Sequence, residues 1–372
     1  MSRPVAQTSM EVRSPATVSL DQTLLWLCGI DSPIGEEAAL CDAVQARMAK
    51  LPLAAPIRRY GNSIVVPLSR AGDGRPHVAL VGHLDTVRTE NGPARAEGSR
   101  IFGAGASDMK SGLAVMIVLA ENLGPLTSMD VTLVFYAREE GPFAENELGP
   151  VLEQDPELRK VDLAVCLEPS DNKLHLGCMG SLHATLTFQG KTAHSARPWE
   201  GDNAVYKAGA LIAELAAKKP QEDVIDGLTY RSVMTITKAS DGGRGRNIVP
   251  DTFVINLNHR FTPRTTIEQA KRAVLDFVAD RAKVEFTDES PAAMPNRSHP
   301  LVERLIAAGV RTVDPKQAWT DVGRLSQMGI AAVNFGPGEN AQAHQKNEST
   351  ETTLVHEGYA IMRRWLMSLA AT

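Results

Sequence analysis

Cysteine is scarce in this chain. Cys28, Cys41, Cys166 and Cys178 are its four, and no pair has the CxxC or zinc-finger spacing of a thiolate metal site. Such usage suits a reduced, cytoplasmic protein. Long apolar runs are missing too: the longest, around Gly112 to Ala120, is far too short to span a bilayer. Excess positive charge is absent, because 39 Lys and Arg face 44 Asp and Glu for a formal net charge of −5. That argues against a nucleic-acid surface and leaves small polar substrates open. The opening twenty residues lack a continuous apolar core, so they read as a flexible lead-in and not as a signal peptide. No internal repeat or low-complexity segment is visible. What remains is 372 residues at 43% hydrophobic content, enough for two ordinary globular cores.

Residues 78–82, 131–136 and 161–167 are apolar and β-rich. Between the first two lies "DMKSGLAVMIVLAENLG", apolar on most sides and closed by Gly124, which predicts a buried helix. This alternation predicts an α/β domain with a mostly parallel central sheet. The pattern changes near residue 180. "SLHATLTFQG" alternates as a half-buried strand should, and 203–218 has apolar residues at helical spacing. Strands near 232–239 and 252–261, a helix over 266–280 and a strand at 283–287 complete a β-α-β-β-α-β order, the ferredoxin-like arrangement. From about 297 the α/β pattern resumes, with a strand at 330–335 and a last helix striped by Val355, Tyr359, Met362, Leu366 and Leu369. The expected organisation is one α/β domain, 1–179 and 297–372, interrupted by a smaller α+β domain at 180–296.

Five stretches place acids or histidines just past apolar runs, where open α/β sheets gather ligands. They are His83 with Asp85 in "GHLDTV", Asp108 in "GAGASDMKSG", Glu139 and Glu140 in "REEG", Glu168 in "LEPSD", and His344 in "GPGENAQAHQKNES". Each has a bland reading alone: Asp108 a helix N-cap, the paired glutamates a solvated turn, Glu168 a strand exit, His344 a loop histidine. Together they are the ligand types of a two-metal hydrolytic site. Such a site needs a carboxylate shared by both ions, and Asp108 at a helix start is the natural one. Glu139 and Glu140 can divide the tasks of ligand and proton acceptor, and Asp85 would stand behind His83 and fix its tautomer.

As a set, these motifs resemble the dinuclear zinc aminoacylase and carboxypeptidase family of metallopeptidases, over essentially everything after residue 20. The resemblance implies a zinc-peptidase-like catalytic domain and an inserted lid used for dimerisation. It implies two Zn2+ (or Co2+) per subunit, one held by His83 and Glu168, the other by Glu140 and His344, with Asp108 between them and Glu139 as general base. In "GKTAHSARPWEGDNA", His194 is implied to reach a partner subunit's site and polarise the scissile carbonyl, hence a homodimer. Asn247, Arg260 and Ser181 are the implied substrate-binding residues, although a structural ion pair is the competing role for Arg260.

Within the family, "LEPSDN", "GCMGSLHATL", "AHSARPWEGDNAVYKAG", "DGLTYR" and "NIVPD" resemble the actinobacterial desuccinylases. The expected reaction is hydrolysis of N-succinyl-L,L-2,6-diaminopimelate to succinate and L,L-diaminopimelate, a step of lysine biosynthesis. One departure stands out. Proteobacterial members carry an arginine pair where this chain has Cys178 and Met179, so another group, such as Arg197, Arg244 or Arg246, would have to grip that carboxylate. Cys178 itself reads as a small packed residue. The alternatives are a deacylase or dipeptidase of the same family, such as one acting on acetylornithine, and a non-catalytic scaffold. The intact ligand set speaks against the scaffold.

Overall fold

Strand His77–His83 is apolar on both faces because both faces are covered: six of its seven residues are buried. The computed structural model describes residues 15–70, 72, 74–123, 129–242 and 245–370. Residues 1–14, Gly124 and Arg244 lie outside them. One expectation is corrected at once. Residues 15–20, read as lead-in, begin the helix Pro15–Cys28, and Leu20, Leu24 and Leu27 pin it to the core at helical spacing.

His77–His83 lies parallel to Asp130–Tyr136 on one side and Leu163–Cys166 on the other. Ala332–Asn334 continues the parallel set beside Leu163–Cys166, and Val313–Pro315 runs parallel to Leu174–Leu176. Antiparallel partners finish the eight-stranded sheet: Arg58–Tyr60 with Ser63–Ser69, Ser63–Ser69 with Asp130–Tyr136, and a single pairing of Ala332–Asn334 with Leu174–Leu176. The sheet is mixed, parallel at its centre. Strand Ser63–Ser69 is not among the expected elements, and Pro67 sits inside it. Pro67 is tolerated since Arg58–Tyr60 pairs only with Ser63 to Val65, and the ladder to Asp130–Tyr136 shifts register between Pro67 and Ser69.

Helix Lys110–Leu123 is buried from Lys110 through Ala120 and packs with Pro15–Cys28 and the last helix, Thr352–Ala370. Gly112 sets how close it comes to the sheet: a Cβ there would lie 2.3 Å from the Leu167 carbonyl oxygen. The helix start can thus press against the chain leaving strand Leu163–Cys166, which brings Asp108 towards Glu168.

The second sheet holds the strands expected of the lid. Its order is Gln221–Ile225, Leu228–Ser240, Thr252–Phe261, Gly180–Gln189, Lys283–Ser290, and every pairing is antiparallel. The last four strands reproduce the ferredoxin-like order, with helices Ala204–Ala217 and Ile267–Val278 between them in sequence. Gln221–Ile225 is an addition. It turns into Leu228–Ser240 through Asp226 and Gly227, at φ 52° and 78°, the left-handed pair a two-residue hairpin requires. Beside that turn Ile225, Leu228 and Tyr230 join the core of the larger sheet, and the Tyr230 hydroxyl donates to the Leu176 carbonyl at 2.6 Å. Gln317 adds two bonds, accepting the Arg231 N–H and donating to the Thr229 carbonyl.

A three-stranded sheet, Arg95–Glu97, Arg100–Phe102 and Ser349–Glu351, was also not foreseen. It ties the chain after His344 to the turn before Asp108. Arg100 locks it with ion pairs to Glu339 and Glu351.

Candidate metal centre

Four of the five stretches follow parallel strands of the large sheet at the same end, the fifth brings Asp108 in at the start of helix Lys110–Leu123, and their side chains meet. His83 closes its strand with its Nδ1 3.0 Å from the Asp85 backbone carbonyl. A carbonyl only accepts, so Nδ1 carries a ring proton, and Nε2 is the atom turned towards the other side chains. That Nε2 lies 3.3 Å from Asp108 Oδ1 and 4.0 Å from Glu168 Oε1. His344, at φ 62° on its loop, sets its Nε2 3.4 Å from Asp108 Oδ2 and 3.0 Å from Glu140 Oε1. The two oxygens of Asp108 are thereby divided between two histidines.

Three overlapping groups have ligand atoms within 4.8 Å of one another: His83, Asp108 and Glu168; Asp108, Glu140 and His344; and His83, Glu139 and Glu140. Asp85 stands behind them. Its carboxylate accepts the Glu139 N–H at 3.0 Å and the Glu140 N–H at 2.9 Å, and approaches His83 Nδ1 to 3.6 Å. The carboxylate orients the glutamate pair more tightly than the imidazole, whose tautomer is fixed by the Asp85 backbone.

The electrostatics of these side chains call for positive charge. Burial pushes the Glu139 carboxyl well above the usual carboxylate range, with Glu168 adding to it. Burial likewise lifts Glu168 to about 7. Hydrogen bonds to Asp108 and Glu140 raise His344 to about 10. Burial alone would lower His83, but Asp108 and Asp85 hold it well above its ordinary value. Burial would raise Asp108, yet its bonds to His344 and His83 keep it well below. Asp85 is also held low, its bonds to His83 and the two backbone N–H groups outweighing burial. Five carboxylates, Asp85 among them, crowd two imidazoles, and burial makes so many acids costly to ionise together unless cations join them. Glu168 Oε1 is buried with no hydrogen-bond partner among the described residues. The donor set, imidazole nitrogen and carboxylate oxygen, fits divalent cations of the zinc type.

One supporting residue was missed. Glu348 accepts three backbone N–H groups, from Gly105 at 3.0 Å and from Ser107 and Asp108 at 2.8 Å, and so shapes the turn that presents Asp108. Its signal was present, an acid four residues past His344 in a stretch already singled out. Asp321 is a second. Buried, it accepts from Tyr136, Asn146 and Arg324 below the strand end that leads to Glu139.

The other expected residues fall into two places. Ser181 and Arg260 are register partners where the lid begins; Asn258 donates to the Ser181 hydroxyl and accepts from Arg260 Nε. His194 and Asn247 sit together elsewhere. His194 pairs with Ile248, its Nδ1 accepts the Ala196 N–H, and Asn247 accepts the Ser195 N–H on its carbonyl. None of their hydrogen bonds reaches the carboxylate cluster. Arg197 is exposed and paired with Glu200, and Arg246 is exposed. Cys178 is fully buried, its thiol pushed up to about 11 by that burial, as suits a packed residue.

The sequence profile described as peptidase family M20/M25/M40 matches residues 79–368. The chain is 37% identical over 342 residues to the putative succinyl-diaminopimelate desuccinylase DapE of Mycobacterium tuberculosis, covering 91% of this chain and 96% of that one. It is 35% identical over 349 residues to succinyl-diaminopimelate desuccinylase of Corynebacterium glutamicum, covering 91% and 94%. Among solved structures, the M20 family metallo-carboxypeptidase Sso-CP2 of Sulfolobus solfataricus superposes with a TM-score of 0.76 at 16% identity, over 95% of this chain and 99% of that one.

Proposed function

The chain belongs to peptidase family M20/M25/M40, and from that premise we propose that it is a metal-dependent amidohydrolase converting N-succinyl-L,L-2,6-diaminopimelate to succinate and L,L-diaminopimelate. The observation that carries the reading is the division of the Asp108 carboxylate between His83 and His344, since a shared carboxylate is the signature of paired cations. The two relatives named as desuccinylases support the substrate.

In this reading His83 and Glu168 hold one zinc or cobalt ion, Glu140 and His344 the other, and Asp108 both. When bound, such ions supply Lewis acidity, making water acidic near pH 7 and polarising the scissile carbonyl. The chain's own residues do the rest. Glu139, half-buried and with a raised appetite for protons, takes the proton of the attacking water and returns it to the leaving amine. Asp85 fixes where Glu139 points by accepting its backbone N–H.

His194 serves the site of a second copy. It lies beyond the far end of strand Gly180–Gln189, whose ten residues span roughly 30 Å at about 3.3 Å each, so it stands well away from the start of its own lid. A homodimer follows, with residues 180–296 as lid and dimerisation domain. No helix among the described residues is long and apolar enough to cross a membrane, and a cytoplasmic place in lysine biosynthesis fits the substrate. The test is hydrolysis of N-succinyl-L,L-diaminopimelate, N-acetylornithine and a simple dipeptide by the zinc-loaded protein. A preference of orders of magnitude for the succinyl substrate is expected. Preference for either of the others would move the chain to another branch of the family.

A further inference from the structure

Lys316 is 8% exposed, yet its ammonium has no hydrogen bond or ion pair among the described residues. Its stem is packed while the ammonium keeps contact with solvent, so three donors stay open to a partner that arrives from outside. Lys110, the other strongly buried lysine, shows the contrast: its Nζ donates to the Ile30 carbonyl at 3.0 Å.

The place of Lys316 is specific. Strand Val313–Pro315 pairs with Leu174–Leu176 so that Pro315 faces Leu176; the Lys316 N–H then donates to the Leu176 carbonyl, and the Met179 N–H to the Ala318 carbonyl. Residues 316–320 therefore run beside 176–179, the last residues before the lid. They line the junction where Ser181 and Arg260 stand on the lid's side. The Lys316 charge acts on Glu168, the carboxylate that leaves strand Leu163–Cys166, as well as on His175 and Cys178, and it pairs with none of them. Four residues on, the buried Thr320 hydroxyl also lacks a partner among the described residues. One cation and one buried hydroxyl, both without a partner among the described residues, stand on the chain that runs beside that junction.

We propose that Lys316 binds the terminal carboxylate of the succinyl group, and so selects acyl groups that carry a second acid. This deepens the desuccinylase reading and rests on it. The substrate carries its carboxylates on both sides of the scissile amide. Arg260, oriented by Asn258, is the second cation of the junction and is left for the amino-acid side.

The experiment compares kcat and KM for N-succinyl- and N-butyryl-L,L-diaminopimelate, which match in length and differ in the terminal carboxylate. Wild-type failure on the succinyl substrate sinks the proposed function, and this inference with it, before any variant is compared. If wild type cleaves it, Lys316→Met should lower the succinyl-to-butyryl ratio of kcat/KM roughly 10- to 100-fold, the usual worth of a hydrogen bond to a charged group. Most of the loss should appear in KM, and Lys316→Arg should restore most of the ratio. An unchanged ratio, whether both activities persist or both fall together, overturns the assignment. Should Lys316→Met not fold, Lys316→Gln gives the same comparison. Inhibition of wild type by succinate but not by butyrate is expected alongside, and equal inhibition by both would count against the proposal.

Discussion

The Glu348 carboxylate accepts the backbone N–H of Asp108 at 2.8 Å across a sequence separation of 240 residues. Two more N–H groups of the same turn point at it, so one acid from the chain after His344 shapes the turn that carries the shared carboxylate. The final strand of the small sheet, Ser349–Glu351, holds that acid in place.

Glu348→Ala should therefore act through Asp108. It leaves three buried donors unmatched, each costing about 1–3 kcal/mol. Metal content and turnover should fall roughly 10- to 100-fold, as for other residues that orient metal ligands. Glu348→Gln, which keeps an acceptor, should fall between. Metal analysis after dialysis, with the thermal midpoint, checks this; wild-type metal affinity in the alanine variant would refute it.

Glu139→Gln separates proton transfer from binding. The amide keeps the shape of the side chain and cannot accept the proton, so metal content should stay near wild type while kcat drops by at least about 10²–10⁴-fold. A fully active variant would sink the assignment of the base.

His259 gives the protein an acid-side weakness away from the metal centre. Burial, with the nearby Lys218, lowers its pKa from 6.5 to about 4 despite a backbone hydrogen bond at Ala270. The folded state thus keeps the ring neutral where the unfolded chain would protonate it. Stability is full above pH 6.5 and is lost as pH falls towards 4, by about 2 kcal/mol at pH 5. Urea midpoints at pH 7 and pH 5 should show a smaller difference for His259→Leu than for wild type. An equal difference would mean that other groups carry the acid sensitivity.

Much of this was legible in the sequence for physical reasons. A central parallel strand must be apolar on both faces, so "HVALVGH", "DVTLVFY" and "VDLAVCL" declare themselves, and the acids and histidines beyond them mark the sheet end where ligands gather. Three-residue strands such as Leu174–Leu176 and Val313–Pro315 leave no periodicity to read; only tertiary pairing makes them strands. The hairpin at Asp226–Gly227 is different. Its Asp-Gly signal was in view, yet "DGLTYR" was weighed only as a likeness to relatives, so the extra lid strand Gln221–Ile225 was passed over. Glu348 was visible only as an acid near His344, and Lys316 not as a partner at all, because the meaning of each lies in the backbone it meets from far along the chain.

The bond from Tyr230 to the Leu176 carbonyl, with the two from Gln317, fastens the lid's hairpin to the larger sheet beside the point where the chain crosses between them. A body pinned at one end rotates about the pin. The fulcrum of any lid movement is therefore the junction itself, where Ser181, Arg260 and Lys316 stand, and these residues shift least. Displacement grows along Gly180–Gln189 and is greatest past its far end, where His194 is carried. A swing about that pin would move Ser181 and Arg260 little and His194, beyond the strand's other end, the most.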